Sequence, residues 1–237
     1  EFLNLNELPW PARHLFPMEK YKAVLEGEYK TESTSIISSR GCPNNCIFCA
    51  NKSFWKQRLR LREPSDFVDE MEFIVNKYGL KGFDIWDDTL TVSKKHVLAI
   101  CDEIRKRKLD IKWYARVRVN TVNRELLVEM RKVGCVALSF GVETGSQKIL
   151  QNIKKNITLR QVKEVSKLCS ELGFYTKAFF MFGHPGETVE DLRMTHRLMW
   201  DLRKNKRLIC MTAKTLLYPG TDLEAIAKQE GKLPRDF

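Results

Sequence analysis

The sequence has no long uninterrupted apolar segment, and no basic-then-apolar leader opens the chain. A membrane-spanning helix needs about 20 mostly apolar residues, whereas the apolar runs here, such as residues 178–183, have the length of a strand. These two absences favour a cytoplasmic location without a membrane span. With 237 residues and 43% hydrophobic content, the chain can bury one substantial core, so a single domain is predicted.

Cysteine and histidine are scarce, with seven and four residues respectively. An odd number of cysteines without a secretory leader argues against a disulfide framework. Three cysteines stand in one short run, Cys42-Pro43-Asn44-Asn45-Cys46-Ile47-Phe48-Cys49. The other four lie far apart in apolar patterns that predict buried positions: Cys101, Cys135, Cys169 and Cys210.

The three clustered cysteines can bind three irons of a 4Fe–4S cluster, which leaves the fourth iron without a protein ligand. An open metal position is where small molecules bind and react, so this arrangement indicates an enzyme rather than a sealed electron carrier. A zinc knuckle would need a histidine or a fourth cysteine at matching spacing. A zinc site is therefore the alternative at this stage, within a non-catalytic metal-binding or RNA-binding protein.

The spacing C-x3-C-x2-C, with the aromatic Phe48 before the last cysteine, resembles the signature of the radical S-adenosylmethionine (SAM) superfamily. The resemblance implies that Cys42, Cys46 and Cys49 bind the cluster and that SAM chelates its open iron. It also implies that one electron from the cluster cleaves SAM to methionine and a 5′-deoxyadenosyl radical, which abstracts hydrogen from a substrate. An external electron donor of the flavodoxin or ferredoxin type is implied as a partner, and Phe48 is implied to lie against the adenine.

Strand-like and helix-like patterns alternate along the chain, with predicted strands at residues 34–39, 83–86, 112–119, 136–141, 176–182 and 208–217. Helices are predicted to begin at caps formed by Asn123, Thr158 and Thr188, and the last of these helices is predicted to run to about Asn205. Six βα units in strict alternation indicate parallel strands with right-handed crossovers. Because a closed barrel needs eight units, the predicted fold is α/β, a partial (β/α)6 TIM-type barrel. This fold resembles the core of the radical SAM enzymes. A doubly wound sheet and a truncated full barrel are the alternatives.

Ligands of such folds bind at the carboxyl ends of the strands, and polar residues follow several of the predicted strands. Asp87 and Asp88 follow the second strand and resemble the family's acceptor for the SAM amino group, without indicating which of the two contacts it. Arg118 lies near the carboxyl end of the third strand, and the resemblance implies a position near the ribose and methionine end of SAM. Arg116 lies two residues before it, on the same predicted face.

The fourth and fifth strands carry further residues that the resemblance assigns to SAM. Glu143, between two glycines, matches the position that binds ribose hydroxyls, and Lys155 matches the position that binds the SAM carboxylate. Met181 and Gly183 are implied to approach the adenine through their main chain. His184 is expected to be exposed in a glycine–proline turn.

The opening segment, residues 1–32, is predicted to be a connector, and residues 33–237 form the predicted radical SAM core. Within the connector, the run Leu8-Pro9-Trp10-Pro11-Ala12 resembles the segment that follows the cobalamin-binding domain in the cobalamin-dependent branch of the superfamily. No D-x-H-x-x-G motif for cobalamin occurs in the sequence, so a separate domain would bind that cofactor. The implied reaction on a small-molecule substrate is methyl transfer to carbon, with ring rearrangement or cyclisation as the alternative.

The net charge of +11 leaves RNA open as a partner or substrate. The densest basic patch is residues 52–62, in which three arginines alternate with leucines as in an extended segment. Lysine-rich helix surfaces and anionic ligands account for the charge equally well, and no RNA-binding module accompanies the patch.

Overall fold

The computed structural model describes residues 2–21, 23–25 and 31–234. Among these residues the strands are β1 (Ala23–Val24), β2 (Glu32–Ile36), β3 (Ser39–Arg40), β4 (Arg60–Leu61), β5 (Gly82–Ile85), β6 (Lys112–Val117), β7 (Cys135–Glu143), β8 (Tyr175–Phe182) and β9 (Leu208–Lys214). The α-helices are α1 (Asn51–Trp55), α2 (Pro64–Tyr78), α3 (Lys94–Lys106), α4 (Arg124–Lys132), α5 (Gln147–Asn152), α6 (Leu159–Glu171), α7 (Val189–Leu202) and α8 (Asp222–Gln229).

Seven strands form one sheet in the order β1-β2-β5-β6-β7-β8-β9. The strands from β2 to β9 in this order pair in parallel, and helices connect them. The short β1 pairs antiparallel with β2 at the edge of the sheet. Within the described strands β1 and β9 lie at opposite ends of the order and do not pair with each other, so the curled sheet is an open half-barrel and not a closed barrel. The predicted partial (β/α)6 barrel is confirmed.

The two faces of the sheet differ because successive side chains of a strand point to opposite sides. The convex face packs against helices, and its side chains are among the most deeply buried in the protein: Trp113, Ala115, Leu138, Phe140 and Phe180. The concave face carries polar and aromatic groups such as Tyr114 and Arg116, which line cavities.

The helix ends follow from local sequence signals. Proline occupies the first position of α2, and Gly79 ends that helix in the left-handed region. Asn123 caps α4, and Thr158 and Thr188 form capping boxes at the starts of α6 and α7. These caps confirm the predicted starts. No helix in the described ranges combines the length and the apolar composition needed to cross a bilayer.

The described part of the opening segment packs on the core through a buried charge network. Arg13 donates to Glu70 over 2.5 Å and to the carbonyl oxygen of Ser35 over 2.9 Å. Arg62 donates to the other carboxylate oxygen of Glu70 over 2.6 Å, and the Trp10 indole donates to Asp66 over 2.9 Å. These contacts attach the segment to β2 and α2, while its assignment as a connector stays a prediction.

Candidate active site

The cysteine run forms a loop between β3 and α1 at the carboxyl end of β2. Gly41 precedes it with φ +93°, and a Cβ atom there would lie 1.9 Å from the carbonyl oxygen of Arg58, so only glycine fits. The Asn51 side chain accepts from the Cys42 N–H over 2.9 Å, and the Asn44 amide donates to Cys42 Sγ over 3.0 Å. Two asparagines that the sequence interpretation missed therefore shape this loop.

The adjacent acids Asp87 and Asp88 point in different directions. The Asp87 carboxylate is buried and accepts from Ser38 N, Ser38 Oγ and Ser39 Oγ over 2.5–2.7 Å. Burial raises its pKa, although these hydrogen bonds oppose the rise. Asp88 is exposed, accepts from the Gly41 N–H over 2.8 Å and lines a cavity with the cysteines. Both acids thus contact the segment that precedes Cys42, and Asp88 also faces the cavity.

Three charged residues form a buried cluster at the carboxyl ends of β6 and β7. Glu143, 5% exposed, accepts a hydrogen bond from the Lys155 ammonium. Arg118 donates to the carbonyl oxygen of Lys155 and lies 3.6 Å from Cys46 Sγ. The structure therefore brings together three of the charged residues predicted for SAM beside a predicted iron ligand.

Local backbone geometry creates this cluster. The ladder between β7 and β8 shifts register between Gly141 and Glu143, and Glu143 has φ +69°. Such a bulge re-aims a side chain at a strand end. Lys154 and Asn156 both have φ +53°, so the chain turns sharply between α5 and α6 and places Lys155 against Glu143.

The aromatic side of the site is built by Phe48 and His184, whose ring centroids lie 6.3 Å apart. His184 is 5% exposed, so its expected exposure was wrong. Thr215, the residue after β9, lies with its hydroxyl 3.5 Å from His184 Nδ1. Burial lowers the pKa of His184. Met181 lies near the end of β8 and Gly183, with φ +93°, follows it.

One cavity of about 290 Å³ collects most of these groups: the three cysteines, Phe48, Asp88, Arg118, Glu143 and Lys155 line it. Met181, Gly183 and Asp87 are not among its lining residues in the described part of the chain. Arg116, Ser139 and Phe179 also line it, and sequence interpretation assigned them no role. Alternation along β6 already placed Arg116 on one face, but identifying that face as concave required the sheet.

The cavity fits a thiolate-bound iron–sulfur cluster. Desolvation and the neighbouring Cys46, Cys42 and Asp88 raise the pKa of the Cys49 thiol, so three thiolates there require compensating positive charge. Iron supplies such charge, and Arg118 and Asn44 contact two of the sulfurs. No three His, Cys, Asp or Glu side chains of the described residues converge on a single-ion site, whereas a cubane cluster takes one thiolate per iron.

Two arginines of the basic patch contact other parts of the protein. The Arg60 guanidinium lies 4.7 Å from the Phe2 ring centroid and 5.0 Å from that of Trp55. Arg62 donates to Asp66 and to Glu70 over 2.6 Å. These two arginines therefore hold neighbouring segments together.

Comparison with known proteins gives matches over most of the chain. The sequence profile described as the radical SAM superfamily matches residues 36–199. An uncharacterized methyltransferase of Pyrococcus horikoshii is 34% identical over 220 residues, which cover 93% of this chain and 46% of that protein. An anaerobic magnesium-protoporphyrin IX monomethyl ester cyclase of Cereibacter sphaeroides is 38% identical over 167 residues, covering 69% of this chain and 27% of that protein.

Solved structures show the same fold. The radical SAM methyltransferase TsrM of Kitasatospora setae, with cobalamin and a 4Fe–4S cluster bound, superimposes with a TM-score of 0.77 at 22% identity. The match covers 90% of this chain and 41% of that chain. This chain spans less than half the length of each of these relatives. The profile match and the cysteine loop at the carboxyl rim together show that the chain belongs to the radical SAM superfamily of enzymes.

Proposed function

We propose that this chain is the core of an enzyme that cleaves SAM reductively and uses the resulting 5′-deoxyadenosyl radical to abstract hydrogen from a small-molecule substrate. The observation that carries the proposal is the shared cavity of Cys42, Cys46 and Cys49 with the Glu143–Lys155 pair. A cluster bound there supplies the electron that cleaves the sulfonium of SAM.

The charged residues of the cavity complement SAM group by group. Asp88 accepts the ammonium, Lys155 donates to the carboxylate, and Glu143 accepts from the ribose hydroxyls. Arg118 holds the Lys155 main chain and the Cys46 sulfur in their relative positions. Asp87 acts differently, because its carboxylate is already occupied by the two serines before the cysteine loop.

Phe48 in the cavity lining, with Met181 and Gly183 beside the cavity, suits the adenine. The Phe48 ring lies 5.8 Å from the Lys155 ammonium, and the main chain of Met181 and Gly183 borders the buried His184. Gly183 has no atom within 4 Å of a hypothetical Cβ, which leaves its backbone open to a ligand. Ligands bound in the half-barrel would displace water from these groups, and exclusion of hydrogen donors lets a carbon radical persist until it meets the substrate.

The full-length protein is proposed to transfer a methyl group to carbon, with cobalamin bound by a domain outside this chain. Two matching proteins named as methyltransferases support this: the one from Pyrococcus horikoshii, and the cytidylyl-2-hydroxyethylphosphonate methyltransferase of Streptomyces wedmorensis, 30% identical over 203 residues. Ring closure is the second candidate, favoured by the 38% identity to the magnesium-protoporphyrin cyclase. A one-electron donor of the flavodoxin or ferredoxin type completes the proposal.

The proposal is tested with the full-length protein, purified anaerobically and reconstituted with iron and sulfide. With dithionite and SAM it should form 5′-deoxyadenosine and contain about four irons per chain. Cys46→Ala should abolish both the brown chromophore and the product. Cys210→Ala is the matched control, since Cys210 lies on β9 outside the cavity lining.

Retention of product by Cys46→Ala, or one zinc in place of iron, would overturn the proposal. S-adenosylhomocysteine formed together with 5′-deoxyadenosine in the presence of cobalamin and substrate would support methyl transfer. Formation of 5′-deoxyadenosine alone would favour rearrangement or cyclisation. Turnover only with RNA would make RNA the substrate.

A further inference from the structure

The concave face of β7 carries small side chains at three successive positions, Ala137, Ser139 and Gly141. The residues that pair with them in register on β6 and β8 are large: Tyr114, Arg116, Tyr175, Lys177 and Phe179. Because residues in register on parallel strands point to the same side, the small residues form a floor between two tall walls. We call this feature the β7 trough.

The trough connects the cysteine cavity with a larger cavity of about 1030 Å³. Ser139 and Gly141 line the cysteine cavity, and Ala137 lines the larger one. A molecule lying along the floor would therefore reach the site of SAM cleavage at one end and have ample room at the other.

One wall of the trough is an ordered stack of aromatic and cationic groups. The Arg116 guanidinium carbon lies 4.3 Å from the Trp86 ring centroid and 5.1 Å from that of Tyr114. Arg116 Nη1 donates to Asp84 over 2.7 Å and to the Ile85 carbonyl over 2.8 Å, which fixes the plane of the guanidinium. Trp86 is 57% exposed even though its ring is positioned by this contact.

The opposite wall repeats the combination of an aromatic ring and a positive charge. Phe179, which is 39% exposed, stands beside Gly141. The Lys177 ammonium reaches across the floor to within 5.8 Å of the Tyr114 ring centroid. Arg116 and Lys177 place two positive charges on this part of the face, and the Asp84 carboxylate pairs with Arg116 over 2.7 Å.

We infer that the β7 trough binds the substrate and that the substrate is a planar aromatic molecule with an anionic group, such as a carboxylate or a phosphate. The flat ring fits the small floor between Trp86 and Phe179, because large aromatic side chains left exposed at a cavity offer stacking surfaces. The anion binds to Arg116, whose planar fork is pre-organised for such groups. This inference rests on the proposed radical chemistry and adds its substrate class.

The test uses two probes with the same aromatic skeleton. The anion 8-anilinonaphthalene-1-sulfonate and the uncharged N-phenyl-1-naphthylamine are titrated by fluorescence into the reconstituted full-length enzyme at saturating SAM, which occupies the end of the cysteine cavity nearest the cysteines. The wild type should bind one anion per chain about tenfold more tightly than the neutral probe. Arg116→Gln should remove this preference, and Trp86→Ala or Phe179→Ala should weaken both probes about fivefold.

Matched controls are Arg193→Gln and Trp200→Ala on the exposed side of α7, which should leave both titrations unchanged. Thermal unfolding and iron content show whether each variant is folded. Equal binding of the two probes by the wild type, or unchanged binding in all three wall variants, would overturn the inference.

Two competition experiments identify other occupants. In the first, the anion is bound without SAM, and its displacement by added SAM would place the probe in the SAM site. In the second, displacement of the anion by cobalamin would assign the trough to the corrin ring. Either result overturns the substrate assignment. Cleavage of SAM by the wild type is measured separately, so failure of the proposed function is distinguishable from failure of the trough.

Discussion

The two faces of one sheet in this protein show opposite designs. On the convex face, Phe180 of β8 is 1% exposed and packs in the apolar core, while its neighbour Phe179 on the concave face is 39% exposed beside a cavity. Two adjacent phenylalanines of one strand therefore have different environments: one is packed in the interior, and the other is accessible to a ligand.

In a half-barrel, the convex face therefore contributes most of the stability, and the concave face carries the reactive groups. Hydrophobic burial against helices stabilises the fold, and it leaves the concave face free to carry groups that would be costly in a packed core. Arg116 and the Glu143–Lys155 pair stand on that face or at its rim. Substitutions on the two faces should consequently separate loss of stability from loss of ligand binding.

The largest separation is expected from the adjacent phenylalanines. Phe180→Ala should lower the free energy of unfolding by about 3–5 kcal/mol, because it removes a fully buried ring and leaves a cavity. Phe179→Ala should lower it by less than about 1 kcal/mol, because much of that ring is already in water. Urea unfolding of the two variants measures both values, and equal losses would contradict the division of the sheet into two faces.

On the helix-covered side of the sheet, His96 of α3 should make the stability of the protein depend on pH. Burial lowers the pKa of His96 to about 4, against 6.5 in an unfolded chain. Between these values the unfolded chain binds the proton more readily, so stability is complete above pH 6.5 and falls as the pH drops towards 4. The loss is on the order of 3 kcal/mol.

His96→Gln should flatten this slope, because the substituted side chain cannot titrate. The measurement is the free energy of unfolding of the wild type and the variant at several pH values between 4 and 7. Parallel pH profiles would show that His96 does not titrate differently in the folded and unfolded protein.

At the rim of the sheet, Asp87 and Asp88 should differ in their contribution to the free energy of unfolding. Asp87→Asn should lower the free energy of unfolding by about 1–3 kcal/mol, because an amide nitrogen would face serine donors in a buried site. Asp88→Asn should change it by less than about 0.5 kcal/mol, since the residue is exposed and the amide oxygen can still accept from Gly41.

For SAM affinity the order of the two effects should be the opposite, with the larger loss in the Asp88 variant. Asp88→Asn is expected to weaken SAM binding about tenfold through loss of the charge-assisted contact with the ammonium. Isothermal titration with SAM under anaerobic conditions gives the affinities. A larger loss of SAM affinity in Asp87→Asn, at full iron content, would assign the ammonium to the other acid.

The last expected effect is at Gly141. An alanine Cβ there would lie 2.1 Å from Glu143 Oε1 and 2.6 Å from Lys155 Nζ, so the ion pair must shift. The KM for SAM should rise about tenfold. Gly79→Ala is the control: its Cβ meets no atom within 4 Å, and the positive φ affects stability alone. An unchanged KM in Gly141→Ala would show that SAM does not depend on the pair.

Much of the fold was predictable because its signals are local. Alternating strand and helix patterns with caps at Asn123, Thr158 and Thr188 predicted six βα units in the observed order. The ends of β9 and α7 were placed too late, at residues 217 and 205 instead of Lys214 and Leu202, since no strong stop signal marks them.

The residues of the candidate site that belong to a sequence motif were predictable, whereas side-chain positions that depend on tertiary packing were not. The cysteine spacing alone identified the predicted cluster ligands. The burial of His184 was missed because its neighbour Thr215 lies more than 30 residues away in the chain. The different directions of Asp87 and Asp88 depend on serines almost 50 residues earlier in the chain.

The sequence by itself determined the order of strands and helices, the cysteine loop and the set of charged residues at strand ends. Those features depend on periodicity and spacing within short segments, which the chain carries wherever it folds. Only the tertiary structure decided that a bulge turns Glu143 towards Lys155 and that three small residues of β7 lie between large side chains of β6 and β8. Register between strands is set by pairing across the sheet, so no single segment contains that information.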